Sequence, residues 1–364
     1  MIPFFDSSIV ISNENTLNDF DVIAKKIGLY GFLILGQEYQ HTSLKTPEHI
    51  SRLEIESEKV NEVRDLLLKK RSKCEIMSIK TSNAKVAQWV VKDSRVDILS
   101  IPVQNMKEII TKQLANVAAE NNTFIEIDLS PIIYEKDRKS IIIRNLLRSS
   151  HILVQQKVPI AFTMRAQTPF QLRDIRTIIS LAKVIGISKK YVQKSILNFS
   201  IKVFENKKKF FPNVVSAYFI RKSDEVDKIE ELSPTNKEEE NGIILPDLFI
   251  DKEIPDNDLT FERQRYILFE ILSKELLNIT EKDIESEIWR LFNQFYGIIG
   301  SSRVGLYLSS YNKDKQMGIL RCNHKALDAI RIVLASIVEM ENQEVQFHVM
   351  QISGTMKKFV TKMK

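Results

Sequence analysis

Short apolar runs alternate with amphipathic stretches over residues 1–210. The runs are about four to eight residues long, as strands are, and the stretches repeat apolar positions with helical spacing. The strand candidates are Phe4–Ile11, Leu29–Leu35, Cys74–Ile79, Val96–Ile101, Phe124–Leu129 and Val158–Met164, with Arg52–Ile55 and Ile201–Phe204 weaker. Helical patterns lie near 16–27, 57–70, 83–92, 106–120, 137–156 and 168–185. About seven βαβ repeats favour a parallel sheet closed into a TIM-like (β/α) barrel.

The last of these helices carries clear end signals. Thr168 is a suitable N-cap, and Gly186 stands where the residue after a helix often adopts a left-handed conformation. With the helix starting at residue 168, three basic side chains fall on the face opposite its apolar stripe. We therefore predict that the solvent-facing residues include Arg173, Arg176 and Lys183.

Residues 263–364 follow a different order of elements. Thr280 and Asp283 form a capping box at the start of one helix, and a second helix carries an apolar stripe from Ala326 to Ile337. The strand candidates are Tyr266–Leu272, Val304–Ser310, Met317–Cys322 and Glu344–Gln351. The resulting βαββαβ order predicts an α+β ferredoxin-like domain.

Charge is distributed unevenly behind a net value of +6. Residues 136–209 carry 17 Lys/Arg against 3 Asp/Glu, whereas residues 224–258 carry 13 Asp/Glu against 3 Lys. The basic block is either a solvated surface or a face that binds a polyanion such as RNA. The pattern predicts three parts: a barrel in 1–212, an acidic linker in 222–258 and a ferredoxin-like domain in 259–364.

Composition excludes several classes of protein. The longest apolar stretch, Ile27–Gly36, is far shorter than the roughly 20 residues of a membrane helix. The two cysteines, Cys74 and Cys322, cannot form a disulfide framework or a metal cage. No signal peptide is apparent at the N-terminus. We expect a cytoplasmic protein that does not associate with membranes.

Three carboxylates give the barrel one route to chemistry. Glu126 and Asp128 are two residues apart on one predicted strand, so their side chains point to the same side. Asp6 could join them at the rim where barrel enzymes place their catalytic residues. Such a group could bind a metal or transfer protons, or it could satisfy polar groups at strand ends. The five histidines are scattered, and no phosphate-binding or nucleophile motif is present.

The second domain offers weak signs of nucleic-acid contact. Tyr307 and Tyr311 share a strand face with Arg303, which could be a stacking surface or ordinary packing. The glycine-rich aromatic signature of RNA-reading ferredoxin-like domains is missing. The lysines that end the chain favour phosphate contact over base recognition.

Two segments of the chain resemble known protein families. Residues 263–358 resemble component 2 of archaeal and eukaryotic ribonuclease P. The matching segments are Arg265–Glu270, Tyr296–Gly297, Gly318–Cys322 and Ile352–Thr355. Residues 1–210 resemble component 3, the barrel subunit of the same particle, through Phe4–Asp6, Gly28–Phe32, Val96–Ser100, Leu172–Asp174 and Leu181–Gly186. The segment Phe162–Ala166 departs from the small residues usual in that family.

The resemblance implies a fused protein subunit of ribonuclease P, the ribonucleoprotein endonuclease that removes 5′ leaders from precursor tRNA. It implies that the RNA subunit carries the chemistry with bound Mg²⁺, that the protein binds no cofactor, and that the two halves bind each other. The implied partners are ribonuclease P RNA, precursor tRNA and other protein subunits, with a homodimer through exchanged domains as a further option. The expected RNA-binding residues are Arg144, Arg148, Arg165, Arg173, Arg176, Lys207, Lys208, Lys209, Arg265, Arg303, Arg321, Lys325, Lys357 and Lys358.

Two other functions remain open. The barrel could be a stand-alone metal-dependent hydrolase using Asp6, Glu126 and Asp128. Alternatively, the chain could be a general RNA-binding protein outside any ribonucleoprotein.

Overall fold

The computed structural model describes residues 3–11, 14–36, 47–210, 263–302 and 304–359. The predicted acidic linker, 222–258, and the candidate residue Arg303 lie outside these ranges. Among the described helices, none is long and apolar enough to cross a membrane.

The first part of the described chain is a seven-stranded parallel barrel, as predicted. Each strand pairs with the next along the chain, and a bridge from Ile9 to Ala166 brings the first strand beside the end of the last. The barrel is therefore nearly closed. Its strands are β1 Phe5–Ile9, β2 Gly31–Leu35, β3 Glu48–Glu56, β4 Ile76–Lys80, β5 Ile98–Ser100, β6 Phe124–Asp128 and β7 Ile160–Thr163.

Nine helices are described in this part, and most of them surround the barrel. They are α1 Glu14–Ile27, α2 Val60–Lys70, α3 Ala84–Val90, α4 Val103–Ile109, α5 Lys112–Glu120, α6 Ser130–Tyr134, α7 Lys139–Gln155, α8 Ile175–Val184 and α9 Lys189–Phe210. The pattern at 106–120 therefore covers the end of α4 and the whole of α5, rather than one helix.

The barrel interior is apolar at the end where the strands begin. Every strand contributes one buried side chain to this layer, which contains Phe5, Leu33, Ile50, Ile76, Ile98, Phe124 and Ala161. Helix α9 closes this end, because Phe199, Val203 and Phe204 pack against the layer. The weak strand candidate at Ile201–Phe204 is thus wrong: its apolar side chains belong to a helical stripe with spacings of three and four.

The helix predicted from Thr168 starts seven residues later. Pro169–Gln171 forms a short 3-10 turn, Leu172 is extended, and α8 begins at Ile175. Asp174 is the N-cap, with its carboxylate accepting the Thr177 amide at 3.1 Å.

The second part is an antiparallel sheet with two helices on one face. The strands are β8 Gln264–Ser273, β9 Tyr307–Asn312, β10 Met317–Asn323, β11 Glu339–Met340 and β12 Gln343–Ser353, in the spatial order β11-β12-β8-β10-β9. Helices α10 Glu281–Ser302 and α11 Leu327–Ser336 bury their apolar faces against the sheet. The predicted ferredoxin-like arrangement is confirmed, with β11 as an added short strand. The capping box of α10 is also present, because Asp283 accepts the Thr280 amide at 2.7 Å.

The two parts pack directly against each other through α8 and α11. Lys183 Nζ lies 2.7 Å from Asp328, and Gln346 donates to the Leu172 carbonyl at 2.7 Å. Ile332 and Ala335 of α11 belong to the same apolar cluster as the barrel core. The contact therefore combines apolar burial with polar pairs.

Arg173 is a deeply buried polar residue of this contact. Its side chain is only 2% exposed and donates to the Ala335 carbonyl across the interface at 2.8 Å. The prediction that Arg173 faces solvent is wrong, because α8 begins after it and the extended segment turns the guanidinium inward.

Cleavage between the two parts should leave them associated. We expect a chain with a protease site inserted in 230–245 to elute as one species after cutting. Arg173→Ala should weaken this association by roughly tenfold, because a buried carbonyl loses its charged donor. Size-exclusion chromatography and calorimetry on the separated pieces measure both effects. Arg176→Ala, at an exposed position two residues beyond Asp174, is the control. If cutting the chain that carries only the inserted protease site released two independent species, the prediction would be contradicted.

Candidate functional site

The rim of the barrel at the strand ends contains a buried network of two arginines and two glutamates. Strand β3 contributes Arg52 and Glu54, β6 contributes Glu126, and Arg165 follows β7. These side chains point to the same side of the strands as the apolar layer, since Ile50 and Arg52 are two residues apart, as are Phe124 and Glu126. The interior is thus apolar at one end and charged at the other, where barrel enzymes hold their active sites.

Arg52 is completely buried and fully hydrogen-bonded. Its Nη1 donates to Glu126 at 2.5 Å and to the Ser7 carbonyl at 2.6 Å. Its Nε donates to Ser78 at 2.9 Å, and its Nη2 donates to Glu54 at 2.9 Å. A buried guanidinium is tolerated only when its donors are paired in this way.

Arg165, which follows β7, is the second cation that pairs with the two glutamates. Its Nη2 donates to Glu126 at 2.7 Å and to Glu54 at 2.9 Å. Ser7 and Ser100 each donate a hydroxyl to Glu126 at 2.8 Å. Both oxygens of Glu126 therefore accept several donors, and the two cations balance the two anions.

This arrangement fixes the protonation of the network. Burial alone would raise the pKa of Glu126, but the charges of Arg52 and Arg165 outweigh it and hold that pKa well below its usual range. Burial would lower the pKa of Arg165, but Glu126 and Glu54 outweigh it and raise that pKa further. Glu126 and Arg165 are therefore both charged at neutral pH, so Glu126 is poorly suited to exchange a proton.

The other two candidate carboxylates have separate environments. Burial raises the pKa of Asp6 to about 6. Asp6 nevertheless accepts the Thr163 hydroxyl at 2.6 Å and the amides of Ser8 and Met164 at 3.0 and 3.2 Å. Burial also raises the pKa of Asp128, which accepts the Ser130 amide at 2.9 Å beside a cavity of about 290 Å³.

The hypothesis of a metal site on Asp6, Glu126 and Asp128 gains no support from this geometry. The Asp6 and Glu126 oxygens are occupied by donors, and two guanidinium groups already supply the positive charge that a metal would bring. Among the described residues, no group of three metal-ligating side chains converges. The alternative reading of the carboxylates, as partners for polar groups at the strand ends, fits better.

Comparison with known proteins identifies both parts of the chain. Residues 35–209 match the family model described as RNase P subunit p30, and residues 265–364 match the Rpp14/Pop5 family. The chain joins two ribonuclease P subunit families. The two matches account for most of the chain outside the acidic segment, in the order that the sequence resemblance predicted.

Curated relatives agree with this assignment. Ribonuclease P protein component 3 of Methanococcoides burtonii is 24% identical over 214 residues, covering 56% of this chain and 88% of the relative. Ribonuclease P protein component 2 of Thermococcus kodakarensis is 25% identical over 101 residues, covering 28% and 82%. Among solved structures, a chain of archaeal ribonuclease P with mature tRNA is 19% identical, covers 59% of this chain and 95% of its own length, and has a TM-score of 0.47.

The basic residues expected at RNA lie in three settings. In the component 3 part, Arg144, Arg148 and Arg176 are exposed, as are Lys208 and Lys209 at the end of α9. In the component 2 part, Lys325, Lys357 and Lys358 are exposed, while Arg265 and Arg321 are partly buried. The remaining described residues of the set, Arg165, Arg173 and Lys207, lie in internal contacts.

Two of the residues expected at RNA, Lys207 and Arg165, are held in ion pairs within the component 3 part. Lys207 is buried at the closed end of the barrel, with its Nζ 2.7 Å from Glu48. Arg165 is committed to Glu54 and Glu126 at the rim. Sequence analysis missed Arg52, although a charged residue two positions after an apolar interior residue of a strand is a signal for an internal pair.

Removing one member of the rim network should destabilise the component 3 part strongly. We expect Arg52→Met to lower the free energy of unfolding by about 3–5 kcal/mol, because two buried glutamates then share one arginine. The double variant Arg52→Met with Glu126→Gln should recover part of this loss, since the remaining Arg165 and Glu54 balance. Urea titration measures each variant. Arg95→Met, which breaks the partly exposed pair with Asp93, is the control and should cost less than Arg52→Met.

Asp6 should make stability fall as the pH rises. Because burial raises the pKa of Asp6 to about 6, the folded chain keeps a proton that the unfolded chain releases above its ordinary value of 3.8. The contribution is therefore greatest below pH 3.8 and is lost as the pH approaches 6, at up to roughly 1.4 kcal/mol per unit. Urea titrations from pH 4 to 7 should show this slope flattened in Asp6→Asn. The exposed change Asp314→Asn should leave the slope as it is, and equal slopes in all three proteins would refute the assignment.

Proposed function

We propose that this chain is a fused component 3 and component 2 subunit of ribonuclease P, which stabilises the folded catalytic RNA while the RNA subunit breaks the bond. The observation that carries the proposal is the presence of both family matches on one chain, in parts that pack together. As a ribonuclease P subunit, the chain is part of an endoribonuclease complex that processes precursor tRNA.

The barrel rim supports a structural role for the component 3 part. Its buried charges neutralise one another, and Glu126 is fixed in its ionised form between Arg52 and Arg165. A general acid or base must change its protonation state during a reaction. A carboxylate that binds a metal must have an oxygen lone pair available for it. The network meets neither need, which favours a scaffold over a stand-alone metal-dependent hydrolase.

The exposed cations supply the contact with RNA in this proposal. Arg144 and Arg148 stand one helical turn apart on α7, and Lys357 and Lys358 follow the last strand of the component 2 part. Cations on a protein surface displace condensed counterions and reduce repulsion between phosphates. RNA-bound Mg²⁺ performs the same screening, so the protein should lower the Mg²⁺ concentration that the folded RNA requires. The chain itself needs no cofactor in this scheme.

Joining the two parts has a clear advantage for assembly. Components 2 and 3 are separate proteins in the relatives above, and each must find its partner by diffusion. A tether holds two binding surfaces at high effective concentration. The interface of α8 with α11 would therefore form within one chain at any protein level. Exchange of the component 2 part between two chains would give a homodimer instead, and that arrangement, like a cytoplasmic location, stays a prediction.

The test is reconstitution with ribonuclease P RNA, the other protein subunits and precursor tRNA. Omitting this chain should raise the Mg²⁺ concentration needed for leader cleavage several-fold, and Arg144→Glu with Arg148→Glu should reproduce part of that rise. The control pair Lys69→Glu and Lys85→Glu changes the net charge equally at exposed positions outside the proposed surfaces.

Two outcomes would overturn the proposal. Unchanged cleavage at low Mg²⁺ without the chain would remove its role in the particle. Metal-dependent hydrolysis by the purified chain, lost on Asp128→Asn, would favour the hydrolase. Copurification from cells separates the third option, because a subunit should retain one dominant structured RNA and a general RNA-binding protein a broad mixture.

A further inference from the structure

The component 2 sheet has an outer face, opposite α10 and α11, with a row of aromatic and basic side chains across three strands. In the register of the sheet, Arg321 on β10 lies directly opposite Tyr307 on β9 and Tyr266 on β8. Directly paired residues of neighbouring strands point to the same face. The row therefore reads Tyr307, Arg321, Tyr266 from the sheet edge toward its centre.

One end of this row is covered by the chain itself. After β12, the segment containing Met356 and Phe359 folds back so that Phe359 is fully buried against Leu268 and Ile319. Tyr266 packs at the border of the same cluster. The covering segment thus accounts for the centre of the outer face and leaves the β9 edge open.

The uncovered end presents an aromatic ring backed by a guanidinium. Tyr307 is 56% exposed, and the Arg321 guanidinium carbon lies 5.5 Å from the centre of its ring. Within the described residues, Arg321 Nε is buried without a hydrogen-bond partner. A cation against one side of an aromatic ring holds the ring in place and leaves the opposite side available.

The charges around the row favour an anionic ligand. The exposed Lys357 and Lys358 belong to the covering segment, and the exposed Lys325 follows β10 closely. On the same face, the carboxylate of Glu270 on β8 is paired with Lys26 at 2.6 Å. Exposed positive side chains therefore lie on the two segments that adjoin the row, and an exposed aromatic ring combined with such charges is typical of surfaces that bind single-stranded nucleic acid.

We propose that Tyr307, held by Arg321, is a stacking site for an unpaired RNA base, with the neighbouring lysines contacting the adjoining phosphates. The inference rests on the proposed function and adds to it a class of RNA structure. A base inside a helix has both faces covered by its neighbours, so a stacking ring selects single-stranded positions. Stacking is tolerant of base identity, and the site is expected to discriminate by strandedness and not by sequence.

The experiment measures binding of the full chain to two fluorescent RNA probes over a range of salt concentrations. One probe is a 12-nucleotide oligouridylate, and the other is a fully paired RNA duplex of equal strand length. Tyr307→Ala should weaken binding to the oligouridylate by roughly tenfold while leaving the slope of log affinity against log salt unchanged. Tyr307→Phe should bind as the parent does. Lys357→Ala should instead reduce the slope by roughly 0.7, as expected for one lost phosphate contact to a single strand.

The controls separate stacking from general damage. Leu276→Ala removes a 75% exposed apolar side chain from the same part and should bind both probes normally. Duplex affinity should be the same for Tyr307→Ala and the parent. Thermal melts should be unchanged for Tyr307→Ala, because the ring is largely outside the core.

Several results would overturn the proposal. They are an unchanged affinity of Tyr307→Ala for the oligouridylate, an equal loss on the duplex, a loss in Tyr307→Phe as large as in Tyr307→Ala, or no binding of the oligouridylate by the parent chain. The reconstitution above tests the proposed function independently. A chain that is required at low Mg²⁺ but indifferent to Tyr307→Ala would keep that function and lose only the stacking site.

Discussion

The component 3 part depends on exact compensation of charge inside its barrel. Arg52 has no access to solvent, so its folded position is tolerable only because Glu126, Glu54, Ser7 and Ser78 satisfy it. Taking an unpaired guanidinium out of water costs several kcal/mol, comparable with the whole stability of a domain. The rim network is therefore a condition for folding, and the apolar layer beneath it can supply the driving force only when the network is complete.

That condition also constrains what the barrel can do. In barrel enzymes the same rim carries groups whose protonation or ligands change during turnover. Here the charged side chains at that position hold one another, while the exposed cations sit on outer helices and on the component 2 part. The paired charges of the rim therefore contribute to the stability of the barrel.

The sequence predicted the architecture well because apolar periodicity reports burial directly. The βαβ alternation and the βαββαβ order both follow from which residues must leave water, and both are seen. The predictions that failed concern polar side chains. A seven-residue error in the start of α8 was enough to place Arg173 in solvent when it lies in the interface. The sequence also gives no sign that Lys207 is buried, because its partner, Glu48, is distant along the chain. Long-range pairing of this kind leaves no periodic signal.

The contact between α8 and α11 has a consequence for how such a particle is supplied. Where the two components are separate proteins, their relative amounts depend on two rates of synthesis and two rates of degradation. One polypeptide fixes the ratio at one to one, and the contacts between the halves, the Arg173 bond to Ala335 among them, cover the apolar docking face of each half. Unassembled halves, which proteases and chaperones would otherwise have to clear, are thereby avoided at the point of translation.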